Sequence, residues 1–220
     1  MKGFARETDL ARVVVRHLRA LRWEIYPEVQ PKGFKCCADI VAVQGPAVWV
    51  VETKLSFGLS VIEQAHDWRK YAHFVSVAVP WSERTRMAEI ICRRLGIGVL
   101  RVAPGEKIDE RCLPAFNRKA LAARLTDGLT EKHKTYAAPG NAEGRRYTPF
   151  RRTCEAVASA VAERPGLLLA ELLDRVKTHY LNRASARTCL PRWIRDGIVP
   201  GVRLERDGRA LRLYPAAKTG

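Results

Sequence analysis

The chain has 220 residues, 47% of them hydrophobic, and its 39 Lys and Arg outnumber 23 Asp and Glu for a formal charge of +16. That length accommodates one or two domains with cores of their own, and no stretch reaches the ~20 apolar residues of a membrane span. The charge calls for an acidic partner, nucleic acid or a membrane surface first. It is also uneven: residues 1–110 hold 17 basic and 13 acidic side chains, residues 111–220 hold 22 and 10. Met1 to Glu7 is followed by no long apolar run, so no signal peptide is expected. The six cysteines (36, 37, 92, 112, 154 and 189) form no C-x-x-C pair and no histidine completes a zinc spacing. Reduced thiols in a cytoplasmic protein are the expectation.

In chain order, residues 6–21 place Leu10, Val13, Val14, Leu18 and Leu21 in a helical rhythm, with Arg12, Arg16 and Arg19 opposite. Strand-like runs follow at 23–29, 36–43 and 48–53, the last two separated by Gly45-Pro46 as in a hairpin. A helix over about 60–71, with Ser60 as its cap, leads to the β-branched run 74–79 that Pro80 stops. A helix near 84–95 ends at Gly96, and 97–102 reads as a last strand. The order α-β-β-β-α-β-α-β means an α/β fold, a mixed sheet with helices on its faces. Only 117–134 hints at a helix before Pro139-Gly140-Asn141, so 106–147 reads as a helical or irregular linker. Helical segments at about 150–163, 167–178 and 184–196 then precede a hairpin over 202–213 with Asp207-Gly208 at its turn. Three helices and a terminal hairpin make a winged helix-turn-helix pattern, in which Pro191 is expected to kink the third helix.

The chemistry-bearing stretch is Ala38-Asp39-Ile40-Val41 followed by Val50-Val51-Glu52-Thr53-Lys54. Strand alternation puts Glu52 and Lys54 on one face, and Asp39 joins them from the neighbouring strand. Buried charges of this kind are costly unless they pair or bind a cation. Phosphodiester hydrolysis uses such a set. A hard cation takes oxygen ligands, here Asp39, Glu52 and a backbone carbonyl such as that of Thr53, and a lysine orients water or offsets charge in the transition state. The bare spacing also arises by chance, as a structural ion pair at a strand end.

In this setting residues 6–102 resemble the PD-(D/E)xK nuclease superfamily. The family's Asp falls on Asp39, its Glu on Glu52 and its Lys on Lys54, while Ala38 replaces the proline of the family name. Tyr26-Pro27-Glu28-Val29, Trp68, Tyr71, Ala72-His73 and Val79-Pro80 are similar to an MmcB-like DNA-repair branch. The resemblance implies a restriction-endonuclease-like sheet, a bound Mg2+ or Mn2+, and endonuclease activity on duplex or branched DNA in repair, recombination or defence. It also implies an acid from the first helix, for which Glu7 is the best match, and a helix glutamine at a phosphate, for which Gln64 is. Glu7 reads as well as a first-turn acid favoured by the helix dipole. Glu28 faces the same metal cleft or pairs with Lys35, and Trp68, Tyr71, His66 and His73 read as packing or solvated residues.

The expected organisation is a nuclease domain over 1–105, the linker, and a winged-helix domain over 148–220. In the latter, the third helix offers Arg183, Arg187, Arg192 and Arg195 to DNA above a core face of Ala186, Leu190, Trp193 and Ile194. The wing offers Arg203, Arg206, Arg209 and Arg212. Two further readings stay open: an inactive DNA-binding or assembly protein, and the cleaving subunit of a heteromeric transposase. A homodimer, or a partner protein held by the winged helix, fits as well; a membrane partner does not.

Overall fold

The structure is a computed structural model and describes residues 4–82, 86–103, 105–136, 147–208 and 210–216. The chain divides into two compact units, residues 1–147 and 148–220.

The first unit is built on a six-stranded mixed sheet in sequential order. Strands β1 (Glu24–Val29), β2 (Ala38–Gln44) and β3 (Ala47–Thr53) are antiparallel neighbours. Strands β3, β4 (Phe74–Pro80) and β5 (Gly98–Val102) run parallel, and β6 (Ile108–Cys112) closes the edge antiparallel to β5. Parallel strands covered on both faces read as continuous apolar runs, and β4 is buried along Val75 to Val79. Helix α1 (Glu7–Ala20) seals one face: Leu10, Val14 and Leu18 pack on Ile40, Ala42, Val51 and Leu100. Helices α2 (Leu59–Trp68) and α3 (Arg86–Leu95) cover the other, where Val61, Ala65, Trp68 and Cys92 meet Val41, Val50, Val77 and Val99. Gly45 turns the β2–β3 hairpin with φ of +55°, a conformation that costs glycine little.

Two local expectations change. Helix α2 begins at Leu59 behind Gly58, so Ser60 lies inside the helix and no side chain caps it. Residues 106–136 of the expected linker pack into the first unit. They supply β6, α4 (Ala123–Thr126), α5 (Glu131–Tyr136) and the buried Leu125, which joins the core under α2. The charged run Ile108-Asp109-Glu110-Arg111-Cys112 hid an edge strand, whose solvent-facing positions tolerate charge. A fragment ending at residue 147 is therefore expected to fold, and one ending at 105 to be insoluble. In the full chain Leu125→Ala is expected to cost about 2–5 kcal/mol. Equal denaturation midpoints for wild type and Leu125→Ala would show that these residues do not complete the core.

The second unit packs α6 (Pro149–Glu163), α7 (Leu169–Arg175) and α8 (Arg183–Arg195) against a three-stranded antiparallel sheet. Its order is β7 (Leu167–Leu168), β9 (Ala210–Pro215), β8 (Val202–Asp207). Thr148 accepts a hydrogen bond from the Arg151 amide with Pro149 in the first turn, so α6 starts with a side-chain cap and a pre-set φ. The core gathers Val157, Val161, Leu167, Leu172, Leu190, Ile194 and Leu213. Three details differ from expectation. The stretch 167–178 opens as β7 and its helix ends at Arg175. Helix α8 runs on through the buried Pro191, while Trp193 is 37% exposed beside Phe150 rather than in the core. Asp207 pairs with Ala210, so β8 extends through the aspartate expected at the turn.

Candidate active site

The hairpin register decides which carboxylates meet. Ile40 pairs with Val51 and Val41 with Val50, and continuing that register sets Asp39 opposite Glu52. Both lie where the antiparallel pair ends, at the pole reached by the C-termini of β3, β4 and β5. Ligands of open α/β sheets bind outside that end.

Thr53 fixes Asp39. Its amide donates to Asp39 Oδ2 at 2.8 Å and its hydroxyl to the same oxygen at 3.0 Å. Glu52 is 3% exposed, and Trp68 Nε1 of α2 donates to its Oε1 at 2.7 Å. Burial pushes the Glu52 carboxyl well above the usual range and the Asp39 charge adds to the rise, against the Trp68 bond and the Lys54 charge. Burial raises Asp39 too, opposed by its two Thr53 bonds. Lys54 sits one residue past β3, its amide bonded to Ala78 O at 3.1 Å. Its ammonium is 3.3 Å from Glu7 Oε2, at the start of the helix covering the opposite face. Strand β3 ends at Thr53, and Lys54 just beyond it reaches Glu7 of α1 while its charge still acts on Asp39 and Glu52.

The structure therefore brings Glu7, Asp39, Glu52, Thr53 and Lys54 together. Glu28 lies across from Asp39 in the β1–β2 register, with φ of +52° and 2% exposure. Cys37 Sγ donates to its Oε2 at 3.7 Å, and Lys35 is exposed. Among the described residues no three His, Cys, Asp or Glu side chains group as a metal cluster. A cation here would rest on two carboxylates completed by water and the Thr53 carbonyl, as hard octahedral cations commonly do. Gln64 is exposed one turn before Trp68, and its side chain makes no hydrogen bond among the described residues. His73 Nδ1 accepts from the Val48 amide at 3.1 Å, a structural use. Trp68, read from the sequence as a packing residue, is also the hydrogen-bond donor to Glu52. Its helical spacing marked packing, and only its ring orientation reveals the bond to Glu52.

Glu52, buried, and Asp39, part-buried, both hold their protons more tightly than free carboxyls, so stability is expected to depend on pH. Their folded pKa values lie above the ordinary 3.8 and 4.5, so the folded state holds protons that the unfolded chain releases. Stability is then greatest below those ordinary values and falls as pH rises through them to the raised folded ones. Asp39→Asn keeps both Thr53 bonds, since both go to one oxygen, and removes one charge. In EDTA at pH 8 this variant is expected to melt several degrees above wild type, about 2–4 °C for each kcal/mol relieved. A lower melting temperature for Asp39→Asn would show that the carboxylates do not oppose each other.

In the second unit Arg183, Arg187, Arg192 and Arg195 of α8 are all exposed. Arg183 is tied to Asp174 and to the Ala170 carbonyl, and Arg192 lies 3.7 Å from Asp196. Arg187, Arg195 and Arg206 have no ion pair among the described residues. Arg203 pairs with Glu205 and Arg212 with Asp207, while Arg209 lies outside the described residues. No helix among the described residues is long and apolar enough to cross a membrane.

Comparison of the chain with protein-family models, with curated proteins and with solved structures finds no match.

Proposed function

We propose that this chain is a divalent-metal-dependent deoxyribonuclease: a PD-(D/E)xK catalytic unit with a restriction-endonuclease-like sheet, followed by a winged helix that delivers it to DNA. The observation that carries the reading is the Asp39–Glu52 pair, a part-buried and a buried carboxylate set opposite each other at the end of the sheet where ligands bind, with the Lys54 charge acting on both. Burying like charges side by side is unfavourable unless a cation joins them.

The donor set fits magnesium or manganese. Asp39 Oδ1 bears no hydrogen bond among the described residues and Trp68 engages only Oε1 of Glu52, so both carboxylates keep an oxygen for a hard cation, with the Thr53 carbonyl as the backbone ligand we assign. When bound, the ion would supply Lewis-acid polarisation of a phosphate oxygen and a more acidic water. The protein does the rest. Thr53 and Trp68 lock the carboxylates so that neither reorganises as charge develops. Lys54, exchanging Glu7 for the scissile phosphate or the attacking water, offsets that charge. The support for delivery is the second unit: three helices, a β8–β9 hairpin as wing, and Arg187, Arg195 and Arg206 free of ion pairs among the described residues.

The test is nicking of supercoiled plasmid in magnesium, in manganese and in EDTA, by wild type and Asp39→Asn. Nicking by wild type with metal only, and none by the variant, is the expected result. No cleavage by wild type of any DNA in either metal would leave an inactive DNA-binding or assembly protein.

A further inference from the structure

The β4–β5 end of the sheet carries a second group of residues that the carboxylate chemistry does not use. Trp81 follows β4 directly and is 45% exposed, an unusual place for the largest apolar side chain. Its amide donates to Val102 O at 2.9 Å, which holds it beside β5 rather than in a free loop. The Arg101 guanidinium lies 5.5 Å from the indole centroid. Arg101 itself is buried and ion-paired with Glu89 of α3, so it braces the ring from within and is no open phosphate ligand. In the segment between β3 and α2, Leu55 is 38% exposed, and Leu59, the first residue of α2, is 72% exposed.

The register places this group near the reacting centre. Thr53 pairs with Ala78, which sets Lys54 alongside Val79 and two residues short of Trp81. With strands ~4.8 Å apart and a rise of ~3.3 Å per residue, the Lys54 and Trp81 backbones are on the order of 8 Å apart. That is roughly two steps of a stacked nucleic-acid strand at ~3.4 Å each.

Continuous duplex would meet this rim with sugars and phosphates, its bases stacked inside. Apart from its single N–H, the apolar face of an indole offers a phosphate nothing. An unpaired base offers it a π-face, and aromatic platforms beside cations are how proteins hold unstacked nucleotides. Resting on the nuclease reading for the identity of the strand, we propose that Trp81 is a stacking platform for an unpaired base close to the scissile phosphate. The substrate class is therefore DNA with a single-stranded or unpaired segment at the cleavage point.

The experiment uses the full chain in EDTA and a short single-stranded oligonucleotide carrying a fluorescent purine analogue, with the same strand in duplex as reference. Wild type is expected to quench the analogue in the single strand. Trp81→Ala should abolish the quenching and weaken single-strand affinity about 10-fold or more, the range of one lost base stack. Trp81→Phe should restore most of both, and duplex affinity should stay within about 2-fold throughout. Quenching unchanged in Trp81→Ala, or equal losses for duplex and single strand, overturns the proposal; so does a change in oligomeric state with single-strand affinity intact. Because no metal is present, the outcome is separate from catalysis. Trp81-dependent quenching by a protein that cuts nothing would retire the nuclease reading alone, and metal-dependent cutting with Trp81 silent would retire the platform alone.

Discussion

Lys54→Ala is expected to lower the rate of DNA cleavage by about 10²–10³ while leaving DNA affinity at wild-type level, since it removes one oriented electrostatic stabiliser. Asp39→Ala and Glu52→Ala should instead weaken metal binding, which appears as a higher metal concentration for half-maximal rate. The geometry separates these roles. Asp39 and Glu52 are held by Thr53 and Trp68 and face each other, whereas Lys54 is held by Glu7 from another element. Glu7→Gln then becomes informative. If Glu7 serves only to seat the ammonium, its loss changes turnover and leaves the metal requirement alone; if it binds the cation through water, the metal requirement rises. A triple Asp39, Glu52 and Lys54 alanine variant that cleaves like wild type would remove the site from the chemistry altogether.

Duplex affinity is expected to fall steeply with salt, and to do so through the second unit. Each phosphate neutralised contributes about −0.9 to the slope of log affinity against log salt, so four contacts lose roughly 100-fold between 50 and 200 mM. Replacing Arg187 and Arg192 by alanine together should flatten the slope by about 1.8 if both touch phosphate. Arg206→Ala on the wing should flatten it by about 0.9. If the helix arginines read bases instead, the slope holds and preference relaxes at particular positions, with about 1–3 kcal/mol lost per bidentate contact. Arg183→Ala should change little in binding, because its guanidinium is committed to Asp174 and Ala170 O. The measurements belong in EDTA with the full chain, so that binding is read without cleavage. Affinity that ignores both salt and these substitutions, together with capture of a partner protein, would move the second unit to the assembly or transposase-like role.

Much of the first unit was legible in the sequence because its signals are local. Short apolar runs, the Gly45-Pro46 interruption and the β-branched run at 74–79 prescribe strands by their length and composition, and the length of one hairpin sets Asp39 against Glu52. Helix starts were less legible: Ser60 had the chemistry of a cap, but the chain enters α2 at Gly58. Strand β6 went unread because an edge strand with three charged residues in five has no apolar alternation to show. The long-range meetings came from packing. Glu7 and Lys54 are 47 residues apart and Trp68 and Glu52 are 16 apart; Trp81, Arg101 and Glu89 come from three separate segments. A side chain's period along its own element tells which face it takes. Which distant residue waits on that face depends on how whole elements pack, so the carboxylate pair could be read from one hairpin, while the Trp68 bond to Glu52 and the Arg101 brace under Trp81 could not.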